Sequence, residues 1–160
     1  MTSMAKFPAT QATKSLDSLN VEYTKHLYDY KKSGAVAAAE LMGLPEHAMI
    51  KTLVMETNEK KPLVILMHGE KETSLKELAR QVGVRNVATL SVKDAQKYTA
   101  YMVGGISPFG TRRKLPVYVE ATILELDYLY INGGRRGFIL GMKPDVLVKA
   151  LDPTPVNVAR

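Results

Sequence analysis

The chain has 160 residues, 46% of them apolar and 24% charged, with a formal net charge of +6 and no cysteine. That length suits one folded domain spanning residues 1–160, and the composition is that of a globular rather than a disordered chain. Without cysteine there is no disulfide, no thiolate nucleophile and no Cys-ligated metal.

The excess positive charge makes a polyanion, nucleic acid in particular, a candidate partner. The longest apolar run, Pro62 to Met67, is far short of the ~20 residues a membrane helix needs. Met1 to Asn20 contains no apolar core of the kind a signal peptide carries. A cytoplasmic protein with no membrane contact is expected.

In chain order, the pattern predicts a helix from about Thr10 to Ser18, with Ala12, Leu16 and Leu19 along one face, and then a strand over Val21–Tyr30. Ala35–Met42 is alanine-rich and helical, and Gly43 stands where a left-handed cap would close it. Ile50–Glu56 and Leu63–His68 read as a hairpin about the polar turn Asn58–Lys61. Ser74 and Glu77 have capping-box spacing ahead of Leu75, Leu78, Ala79 and Val82, and Gly83 ends that helix.

A strand at Val87–Leu90 precedes a helix over Ser91–Tyr98, with Asp94 near its positive end. After the loop Gly104–Lys114 come a strand at Val117–Glu120, a helical turn at Thr122–Glu125 and a strand at Leu129–Asn132. The chain returns as Phe138–Leu140 beyond Gly133-Gly134, and Pro144 opens a last helix to Leu151. Strands and helices do not alternate regularly. The expected class is α+β, with a mixed, largely antiparallel sheet curled toward a barrel and flanked by helices. Neither glycine-rich stretch has P-loop or dinucleotide spacing.

Three features can carry chemistry. Alternation puts Lys51 on one face with Leu53 and Met55. It is either a fixed cation at a cleft, holding a phosphate or polarising a carbonyl, or a lysine reaching to solvent from a strand edge. In Gly104-Gly105-Ile106-Ser107-Pro108-Phe109-Gly110, bare backbone can approach a ligand, Ser107 can hydrogen-bond it, Pro108 stiffens the loop and Phe109 can wall a pocket. The same residues would also make a tight surface turn. Gly133-Gly134-Arg135-Arg136 reads as a hairpin turn, and its arginines, like Arg112 and Arg113 after the first loop, could meet phosphates.

His26, His47 and His68 are scattered in sequence, so no metal is expected, and Glu120, Glu125 and Asp127 read as solvated or capping groups. What remains is a site of backbone donors and positive charge with no evident side-chain nucleophile.

Lys51-Thr52-Leu53, then Tyr101 through Gly110 with Leu115-Pro116 behind it, then Gly133 through Gly137, resemble the YbaK family in order and spacing. The likeness runs from about Thr10 to Leu151. The family comprises Cys-tRNA(Pro) deacylases related to the editing domain inserted in bacterial prolyl-tRNA synthetases. The resemblance implies a barrel-like mixed sheet and recognition of the terminal adenosine of aminoacyl-tRNA, with no cofactor. It implies that Lys51 engages the 3′ end, that Gly104 and Gly105 approach the scissile ester, and that Tyr28 lies near the pocket. It also implies that the thiol of the bound cysteine attacks its own ester, and that tRNA(Pro) selectivity comes from docking on prolyl-tRNA synthetase.

Ile106, Ser107, Pro108, Phe109, Gly133 and Gly134 are expected to line the substrate site, and Arg112, Arg113, Arg135 and Arg136 to take tRNA phosphates. Two departures bear on specificity: Ile139 stands where a well-known member of the family carries an aspartate, and Lys31–Gly34 replaces the family's usual more acidic stretch. The alternatives are a water-based deacylase for alanine, serine or threonine, and a tRNA-binding module without activity.

Overall fold

Pro62–His68 forms the central strand, and it is apolar on both sides because both sides are buried. In the computed structural model, which describes residues 6–30 and 42–160, the elements are α1 (Gln11–Ser18), β1 (Thr24–Leu27), β2 (Met49–Thr57), β3 (Pro62–His68), α2 (Leu75–Val82), β4 (Val87–Thr89), α3 (Val92–Thr99), β5 (Val117–Glu120), β6 (Leu129–Arg135), β7 (Phe138–Met142), α4 (Pro144–Leu151) and β8 (Thr154–Val156). Short 3₁₀ turns at Glu46–Ala48 and Ala121–Glu125 lead into β2 and out of β5. No helix among the described residues is long and apolar enough to cross a membrane.

The strands form one eight-stranded sheet in the order β1-β7-β6-β2-β3-β5-β8, with β4 paired to β2. β1–β7, β6–β7, β2–β3 and β2–β4 are antiparallel. β2–β6, β3–β5 and β5–β8 are parallel. The expected mixed, mostly antiparallel sheet is therefore present. It does not close into a barrel, since β1 and β8 stand at opposite ends of the pairing path.

Along β3, Val64 and Leu66 enter a large core with Ile50, Val54, Val119, Ile131 and Leu140. Leu63, Ile65 and Met67 enter a second core with Met55, Leu78 and Ala79. A strand buried on both faces loses the polar–apolar alternation of a surface strand. Burial of each such side chain contributes about 1.5–3 kcal/mol.

Local chemistry sets the helix ends. Thr10 caps α1 through a reciprocal pair with Thr13, whose backbone N–H donates to Thr10 Oγ1 while the Thr10 N–H donates to Thr13 Oγ1. Ser74 accepts the Glu77 N–H at the start of α2. Glu77 does not complete a box there: its carboxylate takes the Arg80 guanidinium at 2.6 Å, and the Ser74 N–H donates to the Val158 carbonyl. Ser91 caps α3, and Gly83 is left-handed at the end of α2.

Several boundaries moved. β1 is shorter than the expected Val21–Tyr30, because only the short β7 is there to pair with it. Gly133 and Gly134 lie inside β6 at an irregularity between Asn132 and Arg135, so the hairpin turns at Arg136-Gly137 instead. β8 was not foreseen, being three residues with a central proline paired only through β5. The stretch Lys31–Gly34 and, apart from the helical Met42, the expected helix at Ala35–Met42 fall on residues 31–41, outside the described residues.

Glu120 is buried, and one carboxylate oxygen accepts the backbone N–H groups of Val158 (2.7 Å) and Ala159 (3.1 Å). It tethers the C-terminal segment over the second core. Replacing it with alanine leaves two donors unpaired, one of them buried, at a cost of about 2–3 kcal/mol. Glu120→Ala should lower Tm by roughly 5 °C or more in a thermal melt; an unchanged Tm would mean the tether contributes nothing.

Candidate functional site

The face of β2 that closes the second core at Met55 continues to Leu53, Lys51 and Met49, and there it lines a cavity of 460 Å³. Parallel pairing sets Met49 beside Tyr130, and antiparallel pairing sets Asn132 beside Ile139, so β2, β6 and β7 present these side chains to one space. Tyr28, following β1, joins them because its N–H donates to the Gly137 carbonyl at 2.9 Å. Gly69 and Glu46 form one rim, and Val103, Gly104 and Ile106 the other. The volume lies in the range of small-molecule sites.

The Lys51 ammonium donates to the Lys71 carbonyl at 2.6 Å. That acceptor is neutral, so the charge stays available to an incoming anion. Thr52 also lines the cavity, and its hydroxyl is buried without a hydrogen-bond partner. Ile139 is almost fully buried in the cavity wall and makes that part of the wall aliphatic.

Of the residues singled out from sequence, Tyr28, Lys51, Gly104, Ile106 and Ile139 meet at the cavity. Ser107, Pro108 and Phe109 are instead buried behind its rim. The Ser107 hydroxyl accepts the Phe109 N–H, and the Tyr101 phenol donates to the Phe109 carbonyl. Burial pushes the Tyr101 phenol up to about 12 against the opposing pull of the Ser107 hydrogen bond, so it remains a protonated donor. These residues brace the loop rather than face the cavity.

Gly105 is bound up in the same bracing. Its N–H donates to the Met102 carbonyl, so it is not free as a donor to a ligand. A Cβ on Gly105 would stand 2.8 Å from the backbone of Arg135 and Arg136, and one on Gly104 (φ +96°) 2.9 Å from the Arg136 side chain. The two glycine-rich segments interlock backbone to backbone. Gly133 and Gly134 lie on the far side of this contact, against Phe138 and Tyr101 respectively.

All four arginines are exposed and none lines the cavity. Arg113 lies over the Tyr98 ring (4.8 Å) and Arg136 over the Tyr30 ring (4.7 Å). Sequence reasoning missed Glu46, Tyr130 and Asn132 as cavity residues. Alternation along β6 could have paired Tyr130 with Asn132, but nothing local joins Glu46 to them.

The histidines are less scattered than expected. His47 and His68 stack at 3.7 Å, and with Glu70 their ligand atoms lie within 4.8 Å of one another. Both ring nitrogens of His68 are engaged, with the His47 carbonyl (2.6 Å) and Thr122 Oγ1 (2.7 Å), and His47 pairs with Glu70 at 2.7 Å. As arranged, the set is a hydrogen-bonded brace under the Glu46–Gly69 rim.

Because the atoms facing Gly105 are backbone, no rotamer change relieves a clash there. Gly105→Val should separate the two loops and speed hydrogen exchange at residues 101–110 and 133–137 together, with a lowered Tm. Unchanged exchange in both segments would show that the interlock is not needed.

Residues 31–150 match the family model for the aminoacyl-tRNA editing domain. The chain is 28% identical over 141 residues to EbsC of Enterococcus faecalis, assigned as a Cys-tRNA(Pro)/Cys-tRNA(Cys) deacylase, with 87% of this chain and 86% of that protein covered. It is also 28% identical over 122 residues to the proline–tRNA ligase of Thermodesulfovibrio yellowstonii, covering 76% of this chain but only 20% of the ligase. Among solved structures, one assigned as a trans-editing enzyme for prolyl-tRNA synthetase superposes with a TM-score of 0.82 at 18% identity, covering 94% of this chain and 95% of that one. The hypothetical protein APE2540 does so with 0.85 at 22%, covering 94% and 100%. With the model spanning three quarters of its length, the chain belongs to the aminoacyl-tRNA editing domain family.

Proposed function

We propose that the chain, acting as a single domain, removes the amino acid from mischarged aminoacyl-tRNA, with Cys-tRNA(Pro) as substrate. The observation that carries this reading is a small-molecule-sized cavity in which the Lys51 cation and the bare Gly104 rim meet; among the described residues its lining includes no cysteine, histidine or serine. Such a site can orient an ester and stabilise charge, and a substrate that brings its own nucleophile needs none from the protein.

A bound cysteinyl ester carries its own. The thiol sulfur bonds to the ester carbonyl carbon, the carbon–oxygen bond to the ribose breaks, and the thiol proton passes to the departing ribose oxygen. The products are a cysteine thiolactone and free tRNA. Intramolecular attack gains from proximity, with effective molarities of ~10⁵ M or more in well-oriented cases. Lys51 holds the 3′-terminal phosphate or ester region, Gly104 lets the ester lie close to the rim, and Ile139, Leu53 and Ile106 surround a small side chain. Arg112, Arg113, Arg135 and Arg136 take phosphates farther along the tRNA. Selectivity for tRNA(Pro) comes from docking on prolyl-tRNA synthetase, a reading supported by relatives in which the matching segment is part of the ligase itself.

A second reading rests on Glu46, the carboxylate on the cavity rim, which would activate a water against alanyl, seryl or threonyl esters. Rates on matched substrates separate the two. Cys-tRNA(Pro) should be discharged far faster than Ser-tRNA(Pro) or Ala-tRNA(Pro), and S-alkylated Cys-tRNA(Pro) should persist. Comparable rates on Ala-tRNA(Pro), which has no side-chain nucleophile, would replace the thiol mechanism with the water one.

Lys51→Ala should lower the deacylation rate about a hundredfold, the ~3 kcal/mol typical of losing one preorganised charge contact, with the thermal melt unchanged. A folded variant working at the parental rate would make Lys51 a surface lysine.

A further inference from the structure

Beside the Arg136-Gly137 turn lies a separate hollow of 290 Å³, of whose lining only Arg135 and Arg136 have been given a role above. It is lined by Lys6 and Phe7 from the segment before α1, Leu27 from β1, and Arg135, Arg136 and Phe138 from the β6–β7 hairpin. Three of these residues are cations, and no carboxylate lines it among the described residues. Lys25 extends the positive charge, its ammonium 5.9 Å from the Phe7 ring centre, and the adjoining hollow adds one acid, Asp29.

The apolar groups here are exposed as well. Phe7 keeps 40% of its surface and Leu27 47%, although Phe7 is anchored by Phe138 with ring centres 6.3 Å apart. An exposed aromatic ring among cations that form no ion pair with a described carboxylate is poor packing for a core and good packing for a nucleobase flanked by phosphates, since base stacking and phosphate attraction are the two terms by which proteins hold single strands.

Continuity with the cavity fixes the direction. Arg136 links the two: it lines the hollow, and its side chain rests against Gly104 on the cavity rim. We propose that Lys6, Phe7, Arg135 and Arg136 form a groove for the single-stranded 3′ end of tRNA, with one base stacked on Phe7 and the strand passing Arg136 into the cavity. This rests on the deacylase reading for its ligand. It assigns the segment before α1 to nucleic-acid recognition and makes Phe7 the residue that senses an unpaired tail.

The protein has no tryptophan, so Phe7→Trp places a single fluorescent reporter in the groove. Its emission should be quenched by intact uncharged tRNA and not by the same tRNA lacking its single-stranded 3′ end. In parallel, Phe7→Ala, which changes no charge, should weaken intact tRNA roughly fivefold or more, the low end for losing one base stack. The same change should leave binding of the truncated tRNA untouched, with the melt confirming a folded protein.

Equal quenching by both tRNAs, or none by either, overturns the groove, as does a Phe7→Ala protein that binds intact tRNA at parental affinity. The readout is binding, so the two readings fail separately. A protein that discharges Cys-tRNA(Pro) but shows no tail-dependent quenching loses only the groove. One that shows the quenching but discharges no mischarged tRNA loses only the deacylase reading.

Discussion

β2 serves two interiors and a cavity, and the register that lets it do so fixes everything around the candidate site. On one side Ile50 and Val54 fill the large core. On the other, Met55 and Leu53 close the second core over α2, and the same face then runs on through Lys51 to the cavity. Strand side chains alternate with a period of two, so a one-residue slip against β3 would turn Lys51 into the core and Ile50 out of it. The pairing Lys51–Met67 forbids that slip at the cost of every buried contact along both strands. Hydrophobic packing thus positions the site's cation.

The loop that carries Gly104 is held by close backbone contacts. Three stretches distant in sequence meet around it: the N-cap of α1, the Gly104–Gly110 loop itself and the β6–β7 hairpin. The Thr10 hydroxyl donates to the Gly133 carbonyl at 2.6 Å, Gly110 lies against the Gln11 carbonyl, and Gly105 against Arg135-Arg136. Tyr101 ties the loop to itself through the Phe109 carbonyl. A rim braced from three directions is preorganised, and little ordering cost remains when a ligand arrives.

Charge is distributed to match. The ion pairs Lys60–Glu56, Lys61–Glu59, Arg80–Glu77 and Arg160–Glu72 lie on the β2–β3 turn, on α2 and at the C-terminus. Exposed pairs of this kind are screened by solvent and add little to stability. The arginines of the two loops form no such pair with a described carboxylate, and two of them rest on tyrosine rings instead. Their charge is not neutralised by a described carboxylate, as the proposed phosphate role requires.

The helices, their caps, the β2–β3 hairpin and the strand carrying Lys51 were legible because capping and periodicity are written within a few residues of each other. The order and spacing of Lys51, the Gly104–Gly110 loop and Gly133–Gly137 resemble those of an editing domain, and the family match bears that resemblance out. Tertiary structure alone decided which parts of those motifs face a ligand. Gly104 and Ile106 reach the cavity, while Ser107, Phe109 and Gly105 turn inward, because their partners Tyr101, Arg135 and Arg136 arrive from other parts of the chain. Glu46 and Tyr130 enter the cavity, and His47 stacks on His68, only through the way β2 is inserted between β3 and β6. A residue's periodicity states which neighbours share its face; what lies opposite that face is set by long-range pairing, and no local pattern encodes it.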